Sequence, residues 1–224
     1  MLEYLSNRRP PLIKCVETNI VNALLLEGFS EVITPTIISK DFILRMGIDE
    51  SKPIWKQIFW IDEGRCLRPM LAPNLYNLLE TMKFSRPLRI FEVGTCFRKE
   101  SKGKMHLEEF TMLNAVELAP LKEPLDRLKE LTELIMCTLK LDDFVLKNVE
   151  SDVYGRTMDV IVNGVEIASS AVGPIDIDRN WGITEPWSGI GIGLERLCSV
   201  IMQSSSVKPF ARSLSYVNGK CIRI

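Results

Sequence analysis

Apolar positions recur at helical spacing near the start of the chain and give way to shorter extended runs further on. Leu12, Ile13, Val16, Ile20, Ala23, Leu24 and Leu25 form one stripe, predicting a helix from Pro11 or Leu12 to a stop at Gly28. Residues 29–34 read as a strand halted by Pro35, and residues 56–62 and 66–71 as a strand pair turning at Glu63-Gly64-Arg65. A second helix starts at Ala72-Pro73-Asn74, with Leu75, Tyr76, Leu78, Leu79 and Met82 on its apolar side. Residues 91–97 and 109–116 predict two strands joined by a long charged loop. Beyond Pro124, Leu125, Leu128, Leu131, Leu134, Ile135 and Leu139 mark an amphipathic helix, followed by a strand over 144–149. Residues 157–162 and 165–172 flank Asn163-Gly164, a strong hairpin signal. Finally, Gly189, Gly191 and Gly193 alternate along an extended run that turns helical at Leu194.

Composition narrows the class. The 224 residues are 46% hydrophobic, enough chain for a sizeable core. Lys and Arg total 28 against 29 for Asp and Glu, so any nucleic-acid contact has to come from a local patch rather than a basic excess. Six cysteines are spread without a C-x-x-C, and His106 is the single histidine, which excludes the usual zinc spacings and points to reduced thiols in a cytoplasm. No apolar run reaches the ~18 residues of a membrane span, and no signal peptide is visible.

The chemistry concentrates in the charged loop and the glycine run. Arg98 and Glu100 lie two apart, an arrangement that puts both on one face of an extended arm. A guanidinium there can fork onto phosphate oxygens, and a carboxylate can accept from an exocyclic amine. Phe110 on the return arm can stack on a planar base. Taken alone, the loop is read equally well as a solvated hairpin carrying a surface ion pair. Alternate glycines leave one strand face bare, so a planar group can approach closely, and Arg196 stands near the start of the helix that follows. A dinucleotide turn is disfavoured, because neither G-x-G-x-x-G nor the later acidic residue is present. Glu166 and Ser169 on the second hairpin arm offer hard oxygen ligands, although a lone strand glutamate is more commonly a salt-bridge partner.

Four segments together carry a resemblance: RPMLAPNLYNLL at 68–79, CFRKESKGKMHLEEFTMLN at 96–114, PWSGIGIGLERL at 186–197 and ARSLSYVNG at 211–219. The second and third resemble motifs 2 and 3 of class II aminoacyl-tRNA synthetases, and all four in order resemble the catalytic domain of the pyrrolysyl-tRNA synthetases. The likeness runs from about Gly28 to the C-terminus, and the preceding helix, Gly-Phe, strand and Pro resemble motif 1. It implies an α+β fold, the class II core of an antiparallel sheet flanked by helices. Residues 1–27 would hold an N-terminal segment and the motif 1 helix, and 28–224 the catalytic core, in one domain overall.

The resemblance also implies roles. Arg98 would hold the α-phosphate of ATP and Glu100 the adenine amino group, with Phe110 and Arg196 sandwiching the base and Arg196 reaching the γ-phosphate. His106 and Leu107 would close the loop over the nucleotide, and Glu166 and Ser169 would bind Mg²⁺. Met70, Ala72, Leu75, Tyr76, Leu79, Val116, Trp187 and Gly189 would form the amino-acid pocket. Asn114 would meet the substrate's carbonyl or amine and Tyr154 would act as a lid. From composition alone, the Leu75, Tyr76 and Leu79 stripe is core. Such a pocket suits a bulky uncharged lysine derivative; free lysine would strand an ammonium without a carboxylate.

The reaction implied is ATP-dependent activation of pyrrolysine or a bulky Nε-acylated lysine, then transfer to the 3′ end of an amber-suppressor tRNA, by a cytoplasmic homodimer. Val116 departs from the family, whose best-known members have cysteine there. About a dozen residues precede the first helix, fewer than in the family, so a separate N-terminal tRNA-binding protein is one expectation. A stand-alone adenylating paralogue that does not charge tRNA is the alternative, and a silent regulatory paralogue a third reading. The retained Arg98, Glu100, Phe110, Glu166 and Arg196 argue against silence.

Overall fold

The computed structural model describes residues 9–82, 84–99 and 103–222. Helix α1 (Leu12–Leu26) buries Ile13, Val16, Ile20 and Leu24, spaced three and four apart as the periodicity predicts. Gly28 takes a left-handed φ of 86°, letting the Phe29 amide bond back to the Leu24 carbonyl at 2.9 Å and closing the helix end. The expected strand over 29–34 shrinks to β1 (Ser30–Glu31), which pairs parallel with β4 (Leu88–Phe97).

The expected strand pair at 56–62 and 66–71 is corrected. Pro53–Gln57 is a 3₁₀ turn, because proline sits at its start, and only β3 (Arg65–Leu67) is a strand. It pairs with β2 (Ile37–Ser39), which leads into the short α2 (Lys40–Arg45); neither was foreseen. A narrow link survives from the expectation, as Trp60 bridges to Cys66. Helix α3 (Ala72–Met82) follows as read from the sequence.

The remaining strands are β5 (Glu109–Leu118), β6 (Val145–Ser151), β7 (Gly155–Val162), β8 (Val165–Gly173) and β9 (Trp187–Gly193). Between β5 and β6 runs α4 (Pro124–Thr138), and α5 (Leu194–Ile201) grows directly from β9. A small hairpin, β10 (Ser215–Val217) with β11 (Lys220–Ile222), ends the described chain. The main sheet has the order β1-β4-β5-β9-β8-β7-β6 and is antiparallel except at β1–β4. The fold is α+β.

Alternation along the strands divides the core. Phe91, Leu113, Ala115, Ile190, Ile192 and Ala168 face α1, α4 and α5 in one cluster. Ile90, Val116 and Ala171 face the other way, towards α3 and the 3₁₀ turn Asp176–Trp181. On this second side the sheet is only partly covered, and the cleft opens there. Beside it, Arg68 is buried against Glu92 at 2.7 Å and also donates to the carbonyls of Thr95 and Thr34. Gly94 leaves room for this guanidinium, since a Cβ there would fall 2.1 Å from Arg68 Nη2. Among the described residues no helix is long and apolar enough to cross a membrane. Cys66, Cys96 and Cys198 are buried free thiols, pushed up to about 11, 12 and 12 by desolvation.

Candidate active site

One cavity of about 550 Å³ lies on the second face of the sheet, floored by β5, β9 and β8 and walled by α3, the 98–110 loop and the β6–β7 turn. Cross-strand register sets its floor: Asn114 pairs with Gly191 and Val116 with Gly189, while Ser169 lies opposite Gly191 and Ala171 opposite Gly189. A Cβ at Gly191 would approach Asn114 Oδ1 to 3.2 Å, so the bare glycine face keeps the asparagine amide free to point into the cavity. Asn114 Oδ1 is buried and has no hydrogen-bond partner, an acceptor suited to a ligand N–H.

At the charged end, Arg98 follows directly after β4. Its Nε donates to the Pro69 carbonyl at 2.8 Å, its backbone amide donates to Glu108 O at 2.9 Å, and its guanidinium lies 5.4 Å from the Phe110 ring centre. No carboxylate pairs with Arg98 among the described residues. Burial draws its pKa down and the charge of Arg196 adds to this, while Cys96, Tyr154 and Glu166 oppose it. Arg196 pairs with Glu166 at 3.2 Å and also donates to the Glu166 carbonyl at 3.3 Å. Just before it, Glu195 is buried and both its oxygens accept from Thr111 N at 2.9 Å, locking the start of α5 beside Phe110. Desolvation raises the Glu195 pKa to about 7.

Glu166 and Ser169 are three apart, which on a regular strand would send them to opposite faces. A β-bulge between Val160 and Ile161 resolves this: Glu166 pairs with Ile161 and Ala168 with Val160, so Ile167 is the extra residue. Glu166 and Ser169 therefore both line the cavity. No group of three or more His, Cys, Asp and Glu able to hold a metal occurs among the described residues. One carboxylate and one hydroxyl nonetheless fit Mg²⁺, which completes its shell with phosphates and water. The loop bearing His106 and Leu107 is tied to the chain after α5, where Val207 N donates to Lys104 O at 3.0 Å.

The opposite end is aromatic and closed. Tyr76 on α3 and Trp187 on β9 meet edge to face with ring centres 6.1 Å apart, and Tyr76 tilts over Trp181 at 5.6 Å. Met70, Ala72, Leu75, Leu79 and Val116 complete the apolar wall. Tyr154 lies between the two ends. Burial raises its pKa, with the charge of Asp178 adding to the effect and that of Arg98 opposing it.

Of the residues singled out from the sequence, Met70, Ala72, Leu75, Tyr76, Leu79, Arg98, His106, Leu107, Phe110 and Asn114 all line this cavity. So do Val116, Tyr154, Glu166, Ser169, Trp187, Gly189 and Arg196. Glu100 lies outside the described residues. Sequence reasoning missed Asp178, Glu195 and the Arg68–Glu92 pair; for Asp178 the available signal was an acidic residue among Ile175, Ile177 and Trp181.

Comparison with known proteins agrees with this geometry. A family model described as the phenylalanyl tRNA synthetase beta chain CLM domain matches residues 6–189. Among solved structures, the pyrrolysyl-tRNA synthetase of Desulfitobacterium hafniense is 44% identical with a TM-score of 0.89, covering 100% of this chain and 81% of that one. A structure of PylSc from the same organism, also a pyrrolysyl tRNA synthetase, is 43% identical with a TM-score of 0.87, covering 100% and 79%. The threonine--tRNA ligase of Wolbachia sp. subsp. Brugia malayi is 28% identical over 102 residues, 42% of this chain and 16% of the relative. The O-phosphoserine--tRNA(Cys) ligase of Methanoculleus marisnigri is 24% identical over 175 residues, 72% and 32%. The chain thus spans a third or less of the length of these curated relatives.

Proposed function

The chain belongs to the pyrrolysyl-tRNA synthetase family, within the class II aminoacyl-tRNA synthetases, and from that premise we propose that it activates pyrrolysine or a similarly bulky Nε-acylated lysine with ATP and transfers it to an amber-suppressor tRNA. The observation that carries this reading is a single cavity with two unlike ends: an apolar aromatic chamber with one orphaned amide oxygen, and, at the mouth, Arg98 paired with no carboxylate among the described residues. A long uncharged side chain fits the first end and a triphosphate the second, so the amino-acid carboxylate and the α-phosphate meet near Arg98.

In the proposed reaction the substrate carboxylate attacks the α-phosphorus in line, an acyl–phosphate bond forms, and the bond to pyrophosphate breaks. No side-chain nucleophile is required; the protein orients the groups and neutralises charge. Arg98 would hold the α-phosphate, and Phe110 with Arg196 would enclose the adenine. Glu166 and Ser169 would hold Mg²⁺, which when bound offsets phosphate charge. Asn114 would receive the side-chain amide N–H, and Tyr154 would close over the ring. A hydroxyl at the tRNA 3′ end would then take the acyl group and release AMP. Glu100 remains proposed as the partner of the adenine amine.

A homodimer is part of this proposal. Leu26 and Ile33, 90% and 94% exposed beside the start of the sheet, form an apolar surface that a second copy would cover. The test is ATP–pyrophosphate exchange over a panel of lysine derivatives, repeated as aminoacylation of the tRNA. Exchange followed by charging is expected. Exchange without charging would replace the tRNA step by a stand-alone adenylating activity, and no exchange with any amino acid would refute the enzyme reading.

A further inference from the structure

Behind the aromatic wall stands a group the proposed reaction does not use. Asp178, only 1% exposed, lies in the 3₁₀ turn Asp176–Trp181. Its Oδ1 accepts from Tyr76 Oη at 2.8 Å, and its Oδ2 accepts from Trp187 Nε1 at 2.8 Å and Ile175 N at 2.7 Å. No lysine or arginine is paired with it among the described residues. One buried carboxylate therefore ties together two rings from separate elements, α3 and β9, and both rings line the cavity. The surroundings are shaped for this arrangement: a Cβ at Gly173 would come within 1.8 Å of Trp187 Nε1, so only glycine admits the indole in this pose.

Resting on the reading of this cavity as an amino-acid site, we infer that Asp178 is a positioning residue that sets side-chain selectivity by holding Tyr76 and Trp187 at fixed orientation. The chemistry demands an acceptor. The indole and backbone N–H groups can only donate, and the tyrosine hydroxyl completes the set by donating too. A carboxylate satisfies all three. Asparagine satisfies the same contacts if its Oδ1 takes Trp187 and Ile175 while its Nδ2 donates to a reversed Tyr76 hydroxyl. Leucine, of similar volume, satisfies none and leaves both rings free to turn.

The experiment compares the native chain with Asp178→Asn and Asp178→Leu. Near-ultraviolet circular dichroism reads the aromatic environment without substrate, and pyrophosphate exchange gives separate KM values for amino acid and ATP. For Asp178→Leu we expect an altered aromatic spectrum and an amino-acid KM raised about tenfold, with ATP KM within about twofold. Discrimination between bulky and small lysine derivatives should narrow in parallel. Asp178→Asn should keep the native spectrum and lose no more than about threefold in amino-acid KM. Equal changes in both KM values, or an asparagine variant as impaired as leucine, would overturn the inference. Should the leucine variant fail to fold, Asp178→Ser, whose single short oxygen cannot serve the Tyr76, Trp187 and Ile175 donors together, decides on the same split between the two constants. Inactivity of the native chain would refute the functional reading instead, and the spectra would still decide whether Asp178 holds the rings.

Discussion

At the aromatic end of the cavity Tyr76, Trp181 and Trp187 already touch, and Asp178 has its three donors. At the charged end Arg98 is half-buried and, among the described residues, donates to carbonyls and faces the Phe110 ring without a paired carboxylate, and Arg196 rests on the exposed Glu166. The first end is largely preorganised: Tyr76, Trp187 and Asp178 are hydrogen-bonded before any ligand arrives, the Asn114 oxygen and Trp181 Nε1 being left unpartnered, so binding there costs little rearrangement. The second end carries Arg98, which no described carboxylate pairs, so an anionic ligand can still gain charge-assisted bonds there. On the proposed reading, the difference gives selectivity to a rigid wall and catalysis to groups that gain most when an anion arrives.

The sharpest way to break this comparison is Arg98→Ala. Pyrophosphate exchange should fall about a thousandfold with the melting temperature preserved; substantial residual exchange would remove Arg98 from the phosphate. Next comes Glu166→Ala, expected to raise the Mg²⁺ concentration for half-maximal exchange about tenfold, where an unchanged Mg²⁺ titration would dissolve the proposed metal site. At the rigid end, Tyr76→Ala should cost roughly 3 kcal/mol of stability and shift selectivity towards bulkier lysine carbamates. Selectivity identical to the native chain would exclude Tyr76 from the pocket.

The smallest expected effect concerns Glu195, which holds the start of α5 to β5 through Thr111. Its carboxyl is raised from 4.5 to about 7 by burial, so the folded state holds a proton that the unfolded chain has released. Its contribution is therefore most favourable below pH 4.5 and declines as pH rises towards 7, by at most roughly 3 kcal/mol at about 1.4 kcal/mol per pKa unit. Denaturant titrations at pH 5 and pH 7.5 should show this decline, and Glu195→Gln should flatten it. An equal slope in the variant would assign the decline to other groups.

Much of this was legible in the sequence because it is local. The Asn163-Gly164 turn needs two adjacent positive φ values, found at 51° and 77°, and the pattern of neighbouring residues announces it. The alternate glycines foretold a bare floor, and contiguous motifs brought Arg98, Phe110 and Arg196 together. What stayed hidden depends on distance along the chain. Asp178 reads as one acidic residue in a polar turn until α3 brings Tyr76 to it from 102 positions away. Arg68 and Glu92 look like surface charges, yet they are 4% and 1% exposed, because Thr34 and Thr95 supply the remaining hydrogen bonds. The failed strand at 56–62 has the same origin: Ile58 packs into the core that Trp55 and Trp60 flank, Ile61 is exposed, and pairing with β3 is reduced to the bridge at Trp60.

The bulge at Ile167 makes β8 a counting device. Its spacing is correct only because one residue is surplus, so the length of that strand carries information that side-chain identity does not. For anyone recoding the gene, removal of the single Ile167 codon would take out the surplus residue itself and leave Glu166 and Ser169 two apart, still on one face of a now regular strand, whereas straightening the bulge with all residues kept would part them. A conservative exchange of Ile167 for valine would preserve the count, and with it the shared face of Glu166 and Ser169.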